Sequence, residues 1–152
     1  MKIIEINKKE EWDVFLEKQK FSQFLQSWTW GKIQKDSSYS ISRLSLISDS
    51  ENILAVFSII KKKLFFSYFY YYCPRGPIFA MGEENNKLEN LKFLFQELRK
   101  KAKRDKVIFF RFEPSADLEL LDFGFKKSID LQPSKTWLTD LSLSENDILL
   151  LK

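Results

Sequence analysis

The sequence predicts a single α+β domain in which a mixed sheet is flanked by helices. A chain of 152 residues can bury one hydrophobic core but is short for two. Alternating and continuous apolar runs predict strands, and apolar residues spaced three and four apart predict helices between them. The predicted elements follow the order β-α-α-β-β-β-α-β-α-β-β-α, in which a three-strand meander precedes a β-α-β unit.

Helices are predicted where apolar residues recur every three or four positions after a residue that can cap a helix. The predicted N-caps are Asn7, Ser27 and either Asn85 or Asn86. The predicted buried residues are Trp12, Phe15 and Leu16 in the first helix, and Leu88, Leu91, Phe95 and Leu98 in the longest, which ends near Arg104 and has Leu94 and Ala102 flanking its buried face. The second helix runs from Trp28 to Lys35, a short one from Leu118 to Phe123 ends at Gly124, and Ser144 with Asp147 predicts a last helix.

Strands are predicted between these helices, at residues 2–6, 39–46, 53–60, 64–73, 107–112, 125–131 and 136–141. Residues 39–46 alternate in polarity, as a half-buried strand does, whereas 53–60 is continuously apolar and predicts a central strand. Residues 49–52 form a turn signal, and Pro74 ends the aromatic third strand because proline cannot donate to the sheet ladder.

Composition excludes several kinds of chemistry. The chain has one cysteine and no histidine, so an intrachain disulfide, a Cys/His zinc site and a histidine general base are all excluded. Cys73, beside aromatic residues, is expected to be a buried, inert thiol. The formal net charge is +4, a mild excess that permits a phosphate-bearing partner without requiring one. Neither a signal peptide nor a membrane-spanning run is visible, so the cytoplasm is expected.

Three motifs occur in a fixed order along the chain. They are Phe24 to Lys32 (FLQSWTWGK), Tyr72 to Pro77 (YCPRGP), and Gln132-Pro133 leading through Thr136-Trp137 to Asp140-Leu141-Ser142. At these spacings the chain resembles the Fem family of bacterial aminoacyltransferases, which build peptidoglycan bridges. The resemblance implies transfer of an amino acid from aminoacyl-tRNA to the stem peptide of a cell-wall precursor, which is either UDP-linked or lipid-linked.

The resemblance also implies a fold and a domain organisation. Fem enzymes contain two acetyltransferase-like (GNAT) units, the first completed by a distant C-terminal segment. Residues 1–141 are similar to the first unit, and 142–152 would begin the helix leading to the second. We therefore expect a partial or split enzyme that is inactive by itself, uses no metal or bound cofactor, and contacts the membrane at most peripherally. A split enzyme would need a second polypeptide that carries the C-terminal half. An apolar end at Leu149 to Leu151 predicts self-association.

Lys32 and Lys35 are the first candidate site residues. They follow Trp30 in a capped helix whose free N–H groups and ammonium groups favour anions. In the Fem family a lysine after the Trp-Gly pair is similar in position, and the resemblance implies that it contacts the precursor diphosphate. The alternative is that the tryptophans pack in the core and the lysines are solvated.

Arg75, Gly76 and Glu113 are the second group of candidates. Two prolines bracket Arg75 and Gly76, which predicts a rigid turn that fixes the direction of the arginine, and the resemblance implies that this turn lines the groove between the two units. Glu113 ends a strand, and the resemblance implies a place near the acceptor amine, which an acid could orient or deprotonate. The alternatives are a stiff loop with an exposed arginine, and an Arg111–Glu113 pair on one strand face.

Lys61 to Lys63, followed by an aromatic run to Tyr72, permits contact with tRNA or a membrane surface. Because the charges are grouped at one end, a basic hairpin turn before a strand buried on both faces explains the pattern more simply. Two other functions stay open for the whole chain: a stand-alone module that binds precursor diphosphate or tRNA, and an N-acyltransferase that uses acyl-CoA.

Overall fold

The computed structural model describes residues 1–19, 23–83, 86–115, 118, 120–133, 142–144 and 146. The strands are β1 (Lys2–Glu5), β2 (Ser40–Ile47), β3 (Ile53–Lys63), β4 (Phe69–Pro74), β5 (Ile78–Phe79) and β6 (Val107–Glu113). The helices are α1 (Lys9–Glu17), α2 (Trp28–Asp36) and α3 (Lys87–Arg104), with 3-10 turns at Phe24–Gln26 and Leu120–Phe123. The predicted α+β class is therefore confirmed, and over the described residues the predicted order holds as far as β6 apart from the additional strand β5.

One mixed sheet has the strand order β1-β2-β3-β4-β6, and the short β5 pairs with β3. The pairs β1–β2, β2–β3, β3–β4 and β3–β5 are antiparallel, whereas β4 and β6 are parallel. Helix α3 provides the long crossover that two parallel strands require. The predicted meander and β-α-β unit are thus present, but β5 was not predicted, because a strand of two residues leaves no periodic signal.

Helix α3 covers one face of the sheet. Its residues Leu91, Leu94, Phe95 and Leu98 pack in one core cluster with Phe57, Ile59, Tyr71 and Cys73 of the strands. Leu88 was expected to join them, and this prediction is wrong because its side chain is 49% exposed. The start of α3 is instead held by polar contacts, since Asn86 and Asn90 both donate to the Glu83 carboxylate.

Helices α1 and α2 cover part of the opposite face. Trp12, Phe15 and Leu16 of α1 are buried against Val56 and Ile78, as the spacing predicted. Asn7 is not the cap, because the helix begins at Lys9 with Lys8 in the cap position and no side-chain cap bond. Ser27 does cap α2, since its Oγ accepts a hydrogen bond from Trp30 N at 3.1 Å.

The hairpin between β3 and β4 differs from the prediction. Lys61, Lys62 and Lys63 belong to β3, and the turn lies at Leu64 to Tyr68, which was expected to be strand. The lysines can extend β3 because their apolar stems lie along the sheet; Lys61 Nζ sits 4.3 Å from the Phe69 ring centroid. The predicted basic turn is therefore wrong.

The strand predicted at residues 125–131 is also absent, because this segment is held by side chains of β6 rather than by a backbone ladder. The strand predicted at 136–141 and nearly all of the helix predicted after Ser144 fall outside the described residues.

Candidate functional site

Glu113 lies where the two parallel strands end. Its strand β6 runs beside β4 as far as the pair Pro74–Glu113, and Arg75 N then donates to Glu113 O at 2.7 Å. Carboxyl ends of parallel strands share one edge of the sheet, so the second motif and Glu113 meet there. Arg75 and Glu113 are far apart in the sequence, and the β-α-β crossover brings them together.

Three donors hold the Glu113 carboxylate. Tyr72 Oη donates to Oε2 at 2.6 Å, Leu131 N donates to Oε1 at 2.7 Å, and Arg111 Nη2 lies 3.3 Å from Oε1. The expected Arg111–Glu113 pair is therefore present, but it is one part of a larger network. A carboxylate has about four lone-pair positions, so three donors leave space for one more.

The hydroxyl of Tyr72 is fixed as a neutral donor. Burial, and then its hydrogen bond to Glu113, raise the pKa of Tyr72 far above its usual range. Gln132 Nε2 also donates to Tyr72 Oη, at 3.1 Å, so the first residue of the third motif reaches the same cluster. Sequence reasoning assigned Gln132 no chemistry, because its contact with Tyr72 spans 60 positions.

Arg111 and Arg75 fix the segment before Pro133 over the strand ends. The Arg111 guanidinium donates to Ile129 O and to Ser128 Oγ, the latter at 3.4 Å, and Arg75 Nη2 donates to Pro133 O at 2.5 Å. Arg75 itself has a positive φ of 54°, which turns its side chain away from the strand direction. The guanidinium of Arg75 is consequently directed by the third motif as well as by its own turn.

Gln26 is a buried residue that sequence reasoning missed. Its Nε2 donates to Pro74 O at 2.5 Å, its Oε1 accepts from Ser58 N at 2.7 Å, and its backbone O accepts from Trp12 Nε1 at 2.7 Å. β3 pairs with β4 only from Ile60 onward and with β5 only at Ala55 and Val56. The Gln26 amide thus takes the place of a strand partner in the gap between them. Its position in the first motif was the available signal.

Gly76 fits this gap because it lacks a side chain. A Cβ at Gly76 would lie 2.8 Å from Gln26 Nε2 and 2.8 Å from Cys73 Sγ. Cys73 is buried as expected, and burial raises the pKa of its thiol far above the usual range. Beyond the predicted rigid turn, there is therefore a second reason for glycine at position 76, which is its close packing against Gln26 of the first motif.

Lys32 and Lys35 are exposed on α2, and no hydrogen bond or ion pair joins their side chains to the described residues. Trp30 packs against Phe24, with ring centroids 5.2 Å apart. At the start of α2, Trp30 N donates a hydrogen bond to Ser27 Oγ, and Trp28 N donates to Asp13 Oδ1 at 3.4 Å. The lysines, rather than the helix terminus, are consequently the groups available to an anion.

Gly31 of the first motif leaves room for the side chain of Arg43, which packs on Trp28. The Arg43 guanidinium lies 3.8 Å from the Trp28 ring centroid and donates to Trp28 O at 3.0 Å. A Cβ at Gly31 would lie 2.5 Å from Arg43 Nη2, so a side chain there would displace the arginine. The first motif is therefore built to seat α2 on β2.

The first motif and the Glu113 cluster share one face of the sheet. Val56, which packs against α1, points to the same side of β3 as Ile60, and Ile60 pairs directly with Tyr72. No described contact joins Lys32 or Lys35 to Glu113. A cavity of about 830 Å³ opens beside the cluster. Apolar residues of β6 and of the segment after it line the cavity, together with polar side chains that include Arg75, Arg111, Glu113, Gln132, Lys126, Lys127 and Asp130.

Within the described part of the chain, no group of acidic or cysteine side chains is arranged to hold a metal ion. No helix of that part is both long and apolar enough to cross a bilayer.

Comparison with known proteins gives both a fold and a family. The crystal structure of FemX superposes with a TM-score of 0.67 and 22% identity, over 83% of this chain and 32% of the FemX chain. A probable acetyltransferase gives 0.60 and 14%, over 92% of this chain and 99% of that one. Aminoglycoside antibiotic 6'-N-acetyltransferase AAC(6')-IG from Acinetobacter haemolyticus gives 0.59 and 11%, over 91% and 100%.

These likenesses confirm the GNAT-like α+β fold, and this chain spans about a third of the length of FemX. No curated protein sequence matches the chain. The sequence model described as the FemAB family, however, matches residues 7–143, which is nearly the whole chain and includes all three motifs. The chain belongs to the FemAB family.

Proposed function

We propose that this chain forms one wall of an aminoacyltransferase site for peptidoglycan bridge formation. The donor would be aminoacyl-tRNA, and the acceptor would be the stem peptide of a UDP-linked or lipid-linked cell-wall precursor. The reaction would take place in the cytoplasm or at the inner face of the cell membrane. The observation that carries the proposal is the convergence of Arg75, Glu113 and Gln132, from separate parts of the chain, beside one cavity.

Glu113 would receive the acceptor amine. Its carboxylate is fixed by three donors, and the remaining lone-pair position can accept a hydrogen bond from an ammonium group and take its proton. The free amine then attacks the ester carbonyl, an amide bond forms, and the ester C–O bond breaks. The ribose oxygen leaves with a proton. Because the ester is already activated, positioning supplies most of the rate.

The remaining candidates would hold the precursor. Lys32 and Lys35 are exposed cations on the face of the sheet that carries Glu113, and they suit a diphosphate. Trp30 supports their helix, whereas Arg75 and Gly76 shape the groove edge nearest Glu113. Since the match covers 32% of FemX, we assign transfer to an assembly that contains this fold together with a second GNAT-like unit, joined to residues 1–141 or on a second polypeptide.

The test is transfer of a labelled amino acid from aminoacyl-tRNA to UDP-linked or lipid-linked muropeptide. The full chain is assayed alone and with the polypeptide that carries the second unit. Glu113→Gln should lower the rate about a hundredfold or more, because the amide cannot take a proton. Glu89→Gln, an exposed acid on α3, should leave the rate unchanged. Equal rates for both variants would contradict the role of Glu113.

Precursor binding separates the alternatives. Lys32→Ala or Lys35→Ala should weaken binding of a UDP-linked muropeptide about tenfold, whereas Lys92→Ala on α3 should not, in isothermal titration calorimetry. Binding without transfer under every condition would favour a stand-alone binding module. Binding of acyl-CoA in place of the muropeptide would favour an N-acyltransferase. The two acetyltransferase structures support this alternative, because the match to this chain covers 99% and 100% of their length.

A further inference from the structure

The turn between β3 and β4 carries an apolar projection. Leu64, Phe65, Phe66 and Tyr68, here called the hairpin tip, are all exposed, Phe66 by 87% and Phe65 by 52%. The rings contact each other, with centroids of Phe65 and Phe66 5.9 Å apart and those of Phe65 and Tyr68 5.8 Å apart. Phe66 has a positive φ of 47°, a conformation that bulky residues seldom adopt. The turn thus holds a large ring outward at some conformational cost.

Cations surround the base of the hairpin tip. Lys61, Lys62 and Lys63 precede it on β3. Phe69 N donates to Lys106 O at 3.1 Å, which places the junction of α3 and β6 at the same end of the sheet. That junction adds the exposed cations Lys103, Arg104 and Lys106.

Few acids oppose these cations. Asp105, at the same junction, is engaged by Lys101 Nζ at 3.1 Å and by the Tyr71 hydroxyl. Asp36 ends α2, close to the β2 residue Ser40 that pairs with Lys61. This end of the sheet is therefore positively charged, with the apolar tip at its centre.

We propose that the hairpin tip docks on the surface of a bilayer that contains anionic lipids. The rings and Leu64 would enter the boundary between headgroups and acyl chains, and the surrounding cations would contact the headgroup phosphates. Interfacial binding of this kind gains from buried apolar area and from attraction to anionic lipid together. The inference is independent of the proposed transfer reaction.

The arrangement favours a lipid surface over RNA. Bases stack on open ring faces with cations interleaved along the backbone path. Here the rings pack against each other, Leu64 has no ring, and the cations lie at the base rather than between the rings. An apolar centre inside a cationic rim matches the layered chemistry of a membrane interface.

The first test is co-sedimentation of the full chain with vesicles. Binding to vesicles of phosphatidylglycerol and phosphatidylcholine is expected, with little binding to phosphatidylcholine alone. The double variant Phe65→Ser/Phe66→Ser should reduce binding about tenfold or more, because two large apolar side chains are lost. Met81→Ser, an apolar residue that is 66% exposed elsewhere, should leave binding unchanged.

A second measurement places the contact at the tip without removing the rings. An environment-sensitive dye is attached to Ser67→Cys, or to Ser50→Cys in the β2–β3 turn at the other end of the sheet; Cys73 is buried and does not compete. The dye at 67 should shift to the blue on anionic vesicles, and the dye at 50 should not.

Three results would overturn the proposal. They are the absence of vesicle binding by the unmodified chain, equal binding by the double variant, or equal dye shifts at positions 50 and 67. Binding of bulk tRNA that is lost in the double variant, without vesicle binding, would assign the tip to RNA instead.

Discussion

Gln26 shows how a single side chain can complete a sheet. Its amide occupies the gap that β3 leaves between β4 and β5, and it is 0% exposed. The Ser58 N–H and the Pro74 carbonyl both depend on it, at 2.7 and 2.5 Å. Buried backbone groups without a hydrogen-bond partner destabilise the folded state. Gln26 therefore contributes to stability although its side chain is polar.

Gln26→Ala should destabilise the fold by about 2–4 kcal/mol, because it opens a cavity and leaves two buried backbone groups unpaired. Urea unfolding followed by circular dichroism measures the change. Gln96→Ala, on the exposed side of α3, should change stability by less than about 0.5 kcal/mol. A similar small effect at both positions would mean that water or a neighbouring group replaces the amide.

At the scale of elements, the junction of α3 and β6 depends on Asp105. Burial alone would raise the pKa of Asp105, but hydrogen bonds from the Tyr71 hydroxyl and the Lys101 ammonium, and the charge of Lys101, outweigh it and lower the pKa. Tyr71 stays protonated as the donor, since burial and Asp105 raise its pKa far above the usual range. The contacts of Asp105 at this junction therefore stabilise the fold more when Asp105 is ionised than when it is protonated.

The acid side of the stability profile should report this junction. A lowered folded pKa contributes stability that is complete above the unfolded value of about 3.9 and is lost as pH falls through the folded value. Asp105→Asn should lower stability at pH 7 and reduce the further loss between about pH 4 and pH 2. Urea unfolding across that range measures both, with the exposed Asp122→Asn as control. An unchanged acid profile in Asp105→Asn would assign the loss to other groups.

The elements that the sequence predicted well are those whose signal is local. The stripe of Trp12, Phe15 and Leu16 and the stripe of Leu91, Phe95 and Leu98 follow helical spacing, and both are buried. The errors lie where distant side chains decide. Segment 125–131 alternates like a strand, yet Arg111 and Glu113 hold it. Strand β5 directly follows the Pro74–Pro77 turn, whose first carbonyl accepts a hydrogen bond from the distant Gln26 amide.

The candidate site follows the same rule. The second motif singled out Arg75, and a position at a strand end singled out Glu113. Tyr72 and Gln132 could not be assigned to the cluster from the sequence, because their hydrogen bond joins positions 60 apart. A pattern of residue types records which groups are present. It does not record which strand edge they share.

For the molecule as a whole, the β6 edge that ends the sheet of the described residues carries exposed apolar side chains. β6 ends the strand order, and Ile108 and Phe109 on it are 53% and 43% exposed. Unpaired strand edges with apolar side chains are templates for pairing with another chain. The sequence predicts self-association on the different ground of Leu149 to Leu151, which lie outside the described residues, and this edge is a second, independent reason to expect it.

The chain should therefore form concentration-dependent oligomers, and Ile108→Lys should reduce them, because a charged side chain on an edge strand opposes pairing. Sedimentation velocity over a range of concentrations tests this expectation. Ile129→Lys, which adds the same charge at a residue that is 77% exposed and outside the strands, is the control. A monomer at every concentration would show that the edge is protected.

The amide in the sheet gap also sets an order of assembly. At the gap, the Ser58 N–H and the Pro74 carbonyl have Gln26 rather than another strand as their hydrogen-bond partner. Gln26 precedes Ser58 by 32 positions and Pro74 by 48 positions in the sequence. During synthesis the ribosome adds Gln26 before β3, β4 and β5, so the Gln26 amide is present before the strands whose backbone groups it binds. A circular permutant that carried the segment through Ser27 at its C terminus would reverse this sequence. Its central strands would have to remain incompletely bonded until the last residues emerged.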